Sequence, residues 1–281
     1  MVWSLAADGD VRVGMAYSPS ALAFSRAHPG LLDYLEIPFE QLRHDPSVGA
    51  IGDEIPLVLH CASLSVAGFV PPTDALVAAV AAATEGTRTP WVGEHLAFLS
   101  ADTLDAEEGA HPTQLGYTVT PQYSEEVLGQ VVANLDRLKD RIPAPLIVEN
   151  SPQYLNLPGS TMTMVEFIAA LARASDVGLL LDLSHFAITG HNLRHDIDAS
   201  LDAYPVERVI EVHMSGHSIQ SGIMWDDHAR AAPEASFKLL HRVLERTRPR
   251  AITFEYNWGD RFPPKIVAAH IGRARDMVAQ A

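Results

Sequence analysis

The sequence predicts an α/β fold, a single (β/α)8 TIM barrel over residues 1–281. Three features predict it: the length, the alternation of short apolar runs with helical patterns, and a His, Glu or Asp at the end of most runs. A chain of 281 residues is close to the roughly 250 typical of such barrels, so one domain is expected. Hydrophobic residues make up 47% and charged residues 20%, which provides enough apolar surface for a large core and too little charge for disorder.

Eight apolar runs read as strands, in order: VRVGMAY from Val11, DYLEIPF from Asp33, IPLVLHCA from Ile55, WVGEHLAF from Trp91, PLIVENS from Pro145, GLLLDLSH from Gly178, RVIEVHMS from Arg208 and AITFEYN from Ala251. Their β-branched and apolar content, separated by longer patterns, is the mark of βα units. The patterns between them read as helices: SALAFSRA, DALVAAVAAATEG, SEEVLGQVVANLDRLKDR, TMVEFIAALARAS, HDIDASLDAY, PEASFKLLHRVLERT and a closing KIVAAHIGRARDMVAQA. Within the third, Val127, Val131, Leu135 and Leu138 recur once per turn, with acids toward its start and bases toward its end, matching the helix dipole. Residues 40–54, rich in Asp, Pro and Gly, give the weakest helix. Residues 99–122 are too long and polar for a tight connection and are expected to form a functional loop, a lid over the barrel mouth.

Lys and Arg number 20 against 35 Asp and Glu, a formal charge of −15 that repels phosphate backbones, so nucleic-acid binding is not expected. The start MVWSLAADGD lacks a signal-peptide pattern, and no run approaches the roughly 20 apolar residues of a membrane span, so no membrane partner and a cytoplasmic location are expected. The one cysteine, Cys61, rules out an internal disulfide and a cysteine-based zinc site. It reads either as a small core residue or as an active-site thiol beside His60.

Active sites of such barrels lie at the C-terminal ends of the strands. The last six runs end as LVLH at His60, GEH at His95, IVEN at Glu149 and Asn150, LLLDLSH at Asp182 and His185, IEVHMSGH at His213 and His217, and ITFE at Glu255. WDDH, with Asp226, Asp227 and His228, follows the seventh. Each residue alone could cap a strand, start a turn or sit in a salt bridge. Together they are different, because several buried carboxylates cost several kcal/mol each, by order of magnitude, unless paired or coordinated. No Lys or Arg stands in these strand-end motifs, so bound cations are the economical partner. Imidazoles and carboxylates without thiolates suit zinc, iron or manganese, and so many donors are enough for two or three ions.

These motifs, taken with LVLHCASLSVAG, WVGEHLAFLS, GYTVTPQYSEEVLGQVVANLDRLKDRI, IVENSPQYL, LLLDLSHF and ITFEYNW, resemble in order and spacing the multinuclear non-heme iron-dependent oxidative enzymes, the family that includes the methanobactin biosynthesis oxidase. The resemblance runs from about Val13 to Trp258. It implies a barrel holding two or three Fe ions, in a mixed Fe2+/Fe3+ state, that uses O2 to oxidise a residue, often cysteine, of a ribosomally made precursor peptide, with a separate peptide-recognition partner protein. The matching ligands are His60, His95, Glu149, Asp182, His213, Asp226 or Asp227, His228 and Glu255, with Glu149, Asn150, His185 and His217 in or beside the chemistry. His185 stands where many members carry Asn. It creates an Asp-x-x-His motif like that of the endonuclease IV and sugar isomerase barrels, the xylose isomerase-like class. The alternatives are therefore a trinuclear Zn2+ hydrolase of endonuclease IV type and a sugar isomerase-like metal barrel.

Overall fold

A computed structural model of the chain describes residues 10–101, 113–258 and 261–281. The order is β1 (Arg12–Ala16), α1 (Pro19–Ala27), β2 (Leu35–Pro38), α2 (Phe39–His44), a 3-10 turn (Pro46–Asp53), β3 (Leu57–Cys61), α3 (Asp74–Thr87), β4 (Val92–His95), β5 (Phe98–Ala101), β6 (Thr113–Val119), α4 (Glu125–Leu138) and β7 (Leu146–Glu149). Then follow α5 (Met164–Ala174), β8 (Gly178–Asp182), α6 (Leu183–Leu193), α7 (Ile197–Ala203), β9 (Val209–Met214), β10 (Ser218–Gln220), β11 (Ile223–Trp225), α8 (Glu234–Leu244), β12 (Ala251–Phe254) and α9 (Pro264–Gln280).

Eight parallel strands close into a barrel in the order β1, β12, β9, β8, β7, β4, β3, β2, which is the predicted (β/α)8 architecture. Their near-continuous apolar composition follows from burial on both faces: every residue of β3, β7 and β12 is buried. One face packs outward on the helices, and the other fills the barrel. Tyr34, Val58, Trp91, Ile147, Leu180 and Ala251 form the internal floor. Gly14 is required beside it, because a Cβ there would lie 2.4 Å from the Tyr34 ring.

Two residues further along, the same inward face turns polar. Val58 is followed by His60, Ile147 by Glu149, and Leu180 by Asp182, as the two-residue period of a strand demands. Parallel pairing sets the heights, with His95 opposite Glu149 and Asp182 opposite His213. Between floor and mouth sits Glu211, buried, accepting from Trp91 Nε1 and Thr253 Oγ1 at 2.6 Å each. Burial pushes its carboxyl up, but His213, Thr253 and Trp91 outweigh this and hold it below the usual value. Trp91→Phe removes one donor and leaves a buried carboxylate oxygen unmatched. A loss of about 1–3 kcal/mol is expected in urea or thermal unfolding.

Several helices start at side-chain caps. Ser124 Oγ accepts from Val127 N at the start of α4, and Thr163 and Glu166 form a reciprocal capping box on α5. Residues 40–54 form the short α2 and a 3-10 turn, in keeping with their Pro and Gly content.

Two elements differ from expectation. The run from Gly178 ends as a strand at Asp182, whose carboxylate caps α6 by accepting from His185 N at 2.5 Å. Residues Leu183 to Gly190 of that helix are all buried, so no polar face marks its period. Within 99–122, residues of β5 and β6 form an antiparallel ladder where a loop was expected, mostly solvent-exposed along β6. The proposed lid tip, residues 102–112, lies outside the described residues.

Candidate metal centre

Glu149 is the hub. Its buried carboxylate presents Oε2 to His60 Nε2 at 2.9 Å and His95 Nε2 at 3.2 Å, and Oε1 to His185 Nδ1 at 3.3 Å and His213 Nδ1 at 3.7 Å. On the far side His213 Nδ1 lies 3.2 Å from Glu255 Oε2. A second cluster joins it through His185, whose Nε2 is 2.9 Å from Asp226 Oδ2, while Asp226 Oδ1 is 2.8 Å from His228 Nε2.

A turn delivers that second cluster. β10 and β11 form a hairpin whose two-residue loop, Ser221 and Gly222, has positive φ at both positions, the primed turn that suits strand twist. The returning strand ends at Trp225 and hands Asp226 to the mouth. His228 holds a left-handed backbone (φ 52°) and is anchored by Asn257 N donating to its carbonyl at 2.9 Å. Gly216 makes the approach possible: a Cβ there would be 2.1 Å from the Arg230 carbonyl oxygen.

Among the described residues, donor atoms within 4.8 Å of one another form four sets: Glu36, His60 and His213; His60, His95 and Glu149; Glu149, Asp182, His213 and Glu255; and His185, Asp226 and His228. Glu149 belongs to two of them. Several of these contacts are close without being hydrogen bonds. Asp226 Oδ1 and His228 Nε2, though 2.8 Å apart, both lack a hydrogen-bond partner, as do His213 Nδ1 and Asp182 Oδ2. Buried polar atoms are rarely left so. Lone pairs crowded together yet misaligned for proton sharing are what a shared metal ion would satisfy, and the all-nitrogen-and-oxygen donor set fits one.

The electrostatics agree. Burial pushes Glu149 up, but His95, His185 and His60 overcome it and hold the carboxyl well below its ordinary range. Glu255 is brought to about 2 by His213 and His228 against the same burial. Burial prevails at Asp182, raised to about 6, and at Glu36, raised to about 7. Burial lowers the imidazoles, yet Glu149 and Glu36 carry His60 to about 10, and Glu255 and Asp226 carry His228 to about 9. Only His95, of the ring set around Glu149, is held down by burial. This carboxylate-rich box draws positive charge, supplied by protons or by divalent metal.

The remaining expected residues lie around these sets. Asn150 forms a two-way clasp with the backbone of Asp182, donating to its carbonyl at 3.0 Å and accepting from its N–H at 2.9 Å. Its own carbonyl lies 2.9 Å from His185 Nδ1, so a proton there leaves Nε2 toward Asp226. Of the WDDH pair, Asp226 enters the cluster; Asp227 Oδ1 accepts from Ala229 N at 3.2 Å and stands outside the donor sets. His217 is half-buried with Nδ1 unpartnered, also outside them. Cys61 is buried in the outer core, on the opposite face of β3 from His60, and burial pushes its thiol well up. Alkylating reagents are expected to leave the folded protein unmodified, as read by intact mass. Of the buried carboxylates that escape the strand-end reading, Glu36 and Glu211 do so because each lies inside its apolar run. Their signal is the inward two-residue period, visible in Glu211 and His213.

A cleft of about 340 Å³ opens on the centre, with His95, His185 and Asp226 at its floor and Tyr117, Tyr154 and Leu155 on its walls. Tyr154 packs against the exposed Trp225 in a tilted pair, 32° between planes, with centroids 5.0 Å apart. An aromatic, uncharged wall above a polar floor suits an extended organic chain more than a phosphate backbone.

Known proteins place the chain. A UPF0276 protein of Anaeromyxobacter sp. is 29% identical over 212 residues, covering 75% of this chain and 71% of its own length. Among solved structures, the D-psicose 3-epimerase of Clostridium cellulolyticum superposes with a TM-score of 0.62 at 10% identity, over 96% of this chain and 99% of that one. Endonuclease IV of Thermus thermophilus gives 0.58 at 19% identity, over 96% and 100%. These likenesses show the fold, a xylose isomerase-like TIM barrel. A family model, RiPP precursor modification enzyme MbnB/TglH/ChrH, matches residues 12–279, and with nearly the whole chain covered this protein belongs to that family of enzymes acting on precursors of ribosomally synthesised, modified peptides.

Proposed function

We propose that the chain is an O2-dependent, multinuclear non-heme iron oxidoreductase that modifies a residue, often cysteine in this family's chemistry, of a ribosomally made precursor peptide. The observation that carries this reading is Glu149, one buried carboxylate shared by two adjacent donor sets with a third set beside it. His60, His95 and Glu149 would hold one ion, Glu149, Asp182, His213 and Glu255 a second, and His185, Asp226 and His228 a third. Bound iron, mixed Fe2+/Fe3+, would supply O2 activation and electron transfer. The chain itself fixes the imidazoles through Asn150 and the carboxylates, and the walls of the cleft seat the peptide and exclude water above the floor. His217, beside Asp226 and Asp227 of the WDDH loop, would take part in the chemistry. A separate recognition protein would present the peptide, and the cytoplasm is the compartment that suits such a reaction.

The Asp182-x-x-His185 spacing favours one second reading, a trinuclear zinc hydrolase. The −15 charge opposes a nucleic-acid substrate for it. One experiment separates the two. Protein reconstituted anaerobically with Fe2+ is expected to consume O2 only with the precursor peptide encoded beside its gene, and to shift that peptide's mass. Activity with zinc that ignores O2 would sink the oxidase reading.

A further inference from the structure

We infer that Glu36 is a positioning residue: it accepts the Nε2–H of His213 and so fixes the tautomer whose free Nδ1 faces Glu149 and Glu255. This rests on the metal reading of the centre proposed above. His213 is wholly buried, so both ring nitrogens must be accounted for within the barrel. Nε2 lies 3.0 Å from Glu36 Oε2 in a well-formed hydrogen bond. Nδ1, in contrast, has no hydrogen-bond partner, although carboxylate oxygens lie 3.2 and 3.7 Å away. A neutral imidazole carries one proton, and a nitrogen that binds metal must give up its own. The aligned acceptor marks Nε2 as the protonated end, and the misaligned oxygens mark Nδ1 as the ligating end.

A competing acceptor is nearby, Glu211 Oε1, 3.7 Å from Nε2. It is already engaged by Thr253 Oγ1 and Tyr34 Oη, and its partner oxygen by Trp91. Glu36 could also be read as a ligand, because its carboxylate, His60 and His213 have donor atoms within 4.8 Å. That reading spends Nε2 on the metal and leaves Nδ1, the nitrogen aimed at the larger donor set, idle. The pairing of β2 with β3, which puts Glu36 opposite Val58 one layer below His60, also sets Glu36 beneath the mouth. A carboxylate behind a ligating histidine orients the ring and raises its basicity, and its removal typically costs about 10–100-fold in metal affinity.

The test uses the full chain and Co2+ alone, with affinity read by competition with a chelator and ring protons read as exchangeable, paramagnetically shifted proton resonances. Glu36→Ala is expected to weaken one cobalt equivalent by about 10–100-fold and to lose one exchangeable resonance. Glu36→Gln, whose amide oxygen still accepts, should keep that resonance and weaken binding by less than about tenfold. If the alanine variant does not fold, Glu36→Leu, which keeps volume and removes the acceptor, carries the same expectation. Wild-type affinity and resonances in a folded Ala or Leu variant would overturn the inference, as would loss of the resonance in Glu36→Gln or a cobalt anomalous peak bonded to Glu36. Wild-type protein that takes up no cobalt would instead defeat the metal reading beneath it.

Discussion

Replacing Glu149 with glutamine is expected to lower metal content by at least one equivalent and to reduce peptide modification by more than about 100-fold, beyond the range seen when only an outer partner of a ligand is lost. The amide keeps nearly the same shape, so fold and cleft should survive. What changes is charge and donor count. Among the described residues Glu149 alone touches four imidazoles, on β3, β4 and β9 and at the start of α6, and its negative charge is shared between two donor sets. An amide offers one good acceptor and an NH2 that would point a proton into one of those sets. Glu255→Gln, which serves one set, should lose less metal than Glu149→Gln in elemental analysis. Equal losses would show that the centre does not depend on a bridge.

That hierarchy also explains what could be read from sequence. The eight strands were legible because burial on both faces makes each a near-continuous apolar run, and the donors were legible because on most strands the inward face turns polar at the mouth. His60, His95, Glu149, Asp182, His213 and Glu255 all sit at that level. Glu36 and Glu211 do not stand out in the same way, since an acid inside a run resembles an outward, solvated position until the register shows which face it shares. α6 was hidden for the opposite reason: its buried first eight residues give no amphipathic stripe, and Asp182 serves at once as strand end, cap and candidate ligand. The choice between Asp226 and Asp227 depended on a hairpin of three-residue strands, too short to carry a pattern.

The hairpin is also where the second large effect is expected. Gly216→Ala would place a methyl carbon 2.1 Å from the carbonyl oxygen of Arg230 and 2.6 Å from that of Ala231. Both are backbone atoms, so no side-chain rotation relieves the clash. The segment after His228 must move, and overpacking of this kind costs about 1–3 kcal/mol. Displacement is the functional consequence. Asp226 and His228 immediately precede that segment and are drawn with it, and His185, anchored in α6 by Asp182 and Asn150, does not follow them. The third donor set should therefore open while the two sharing Glu149 stay intact. Elemental analysis should show one equivalent fewer, with the wild-type centre otherwise retained. Gly129→Ala on α4 is the control, since a Cβ there meets nothing within 4 Å and replacing a helical glycine should add about 0.5–1 kcal/mol of stability. If Gly216→Ala kept its full metal complement at reduced stability, the loop would be shown to yield without carrying its ligands away, and the third set would be independent of the Gly216 contact.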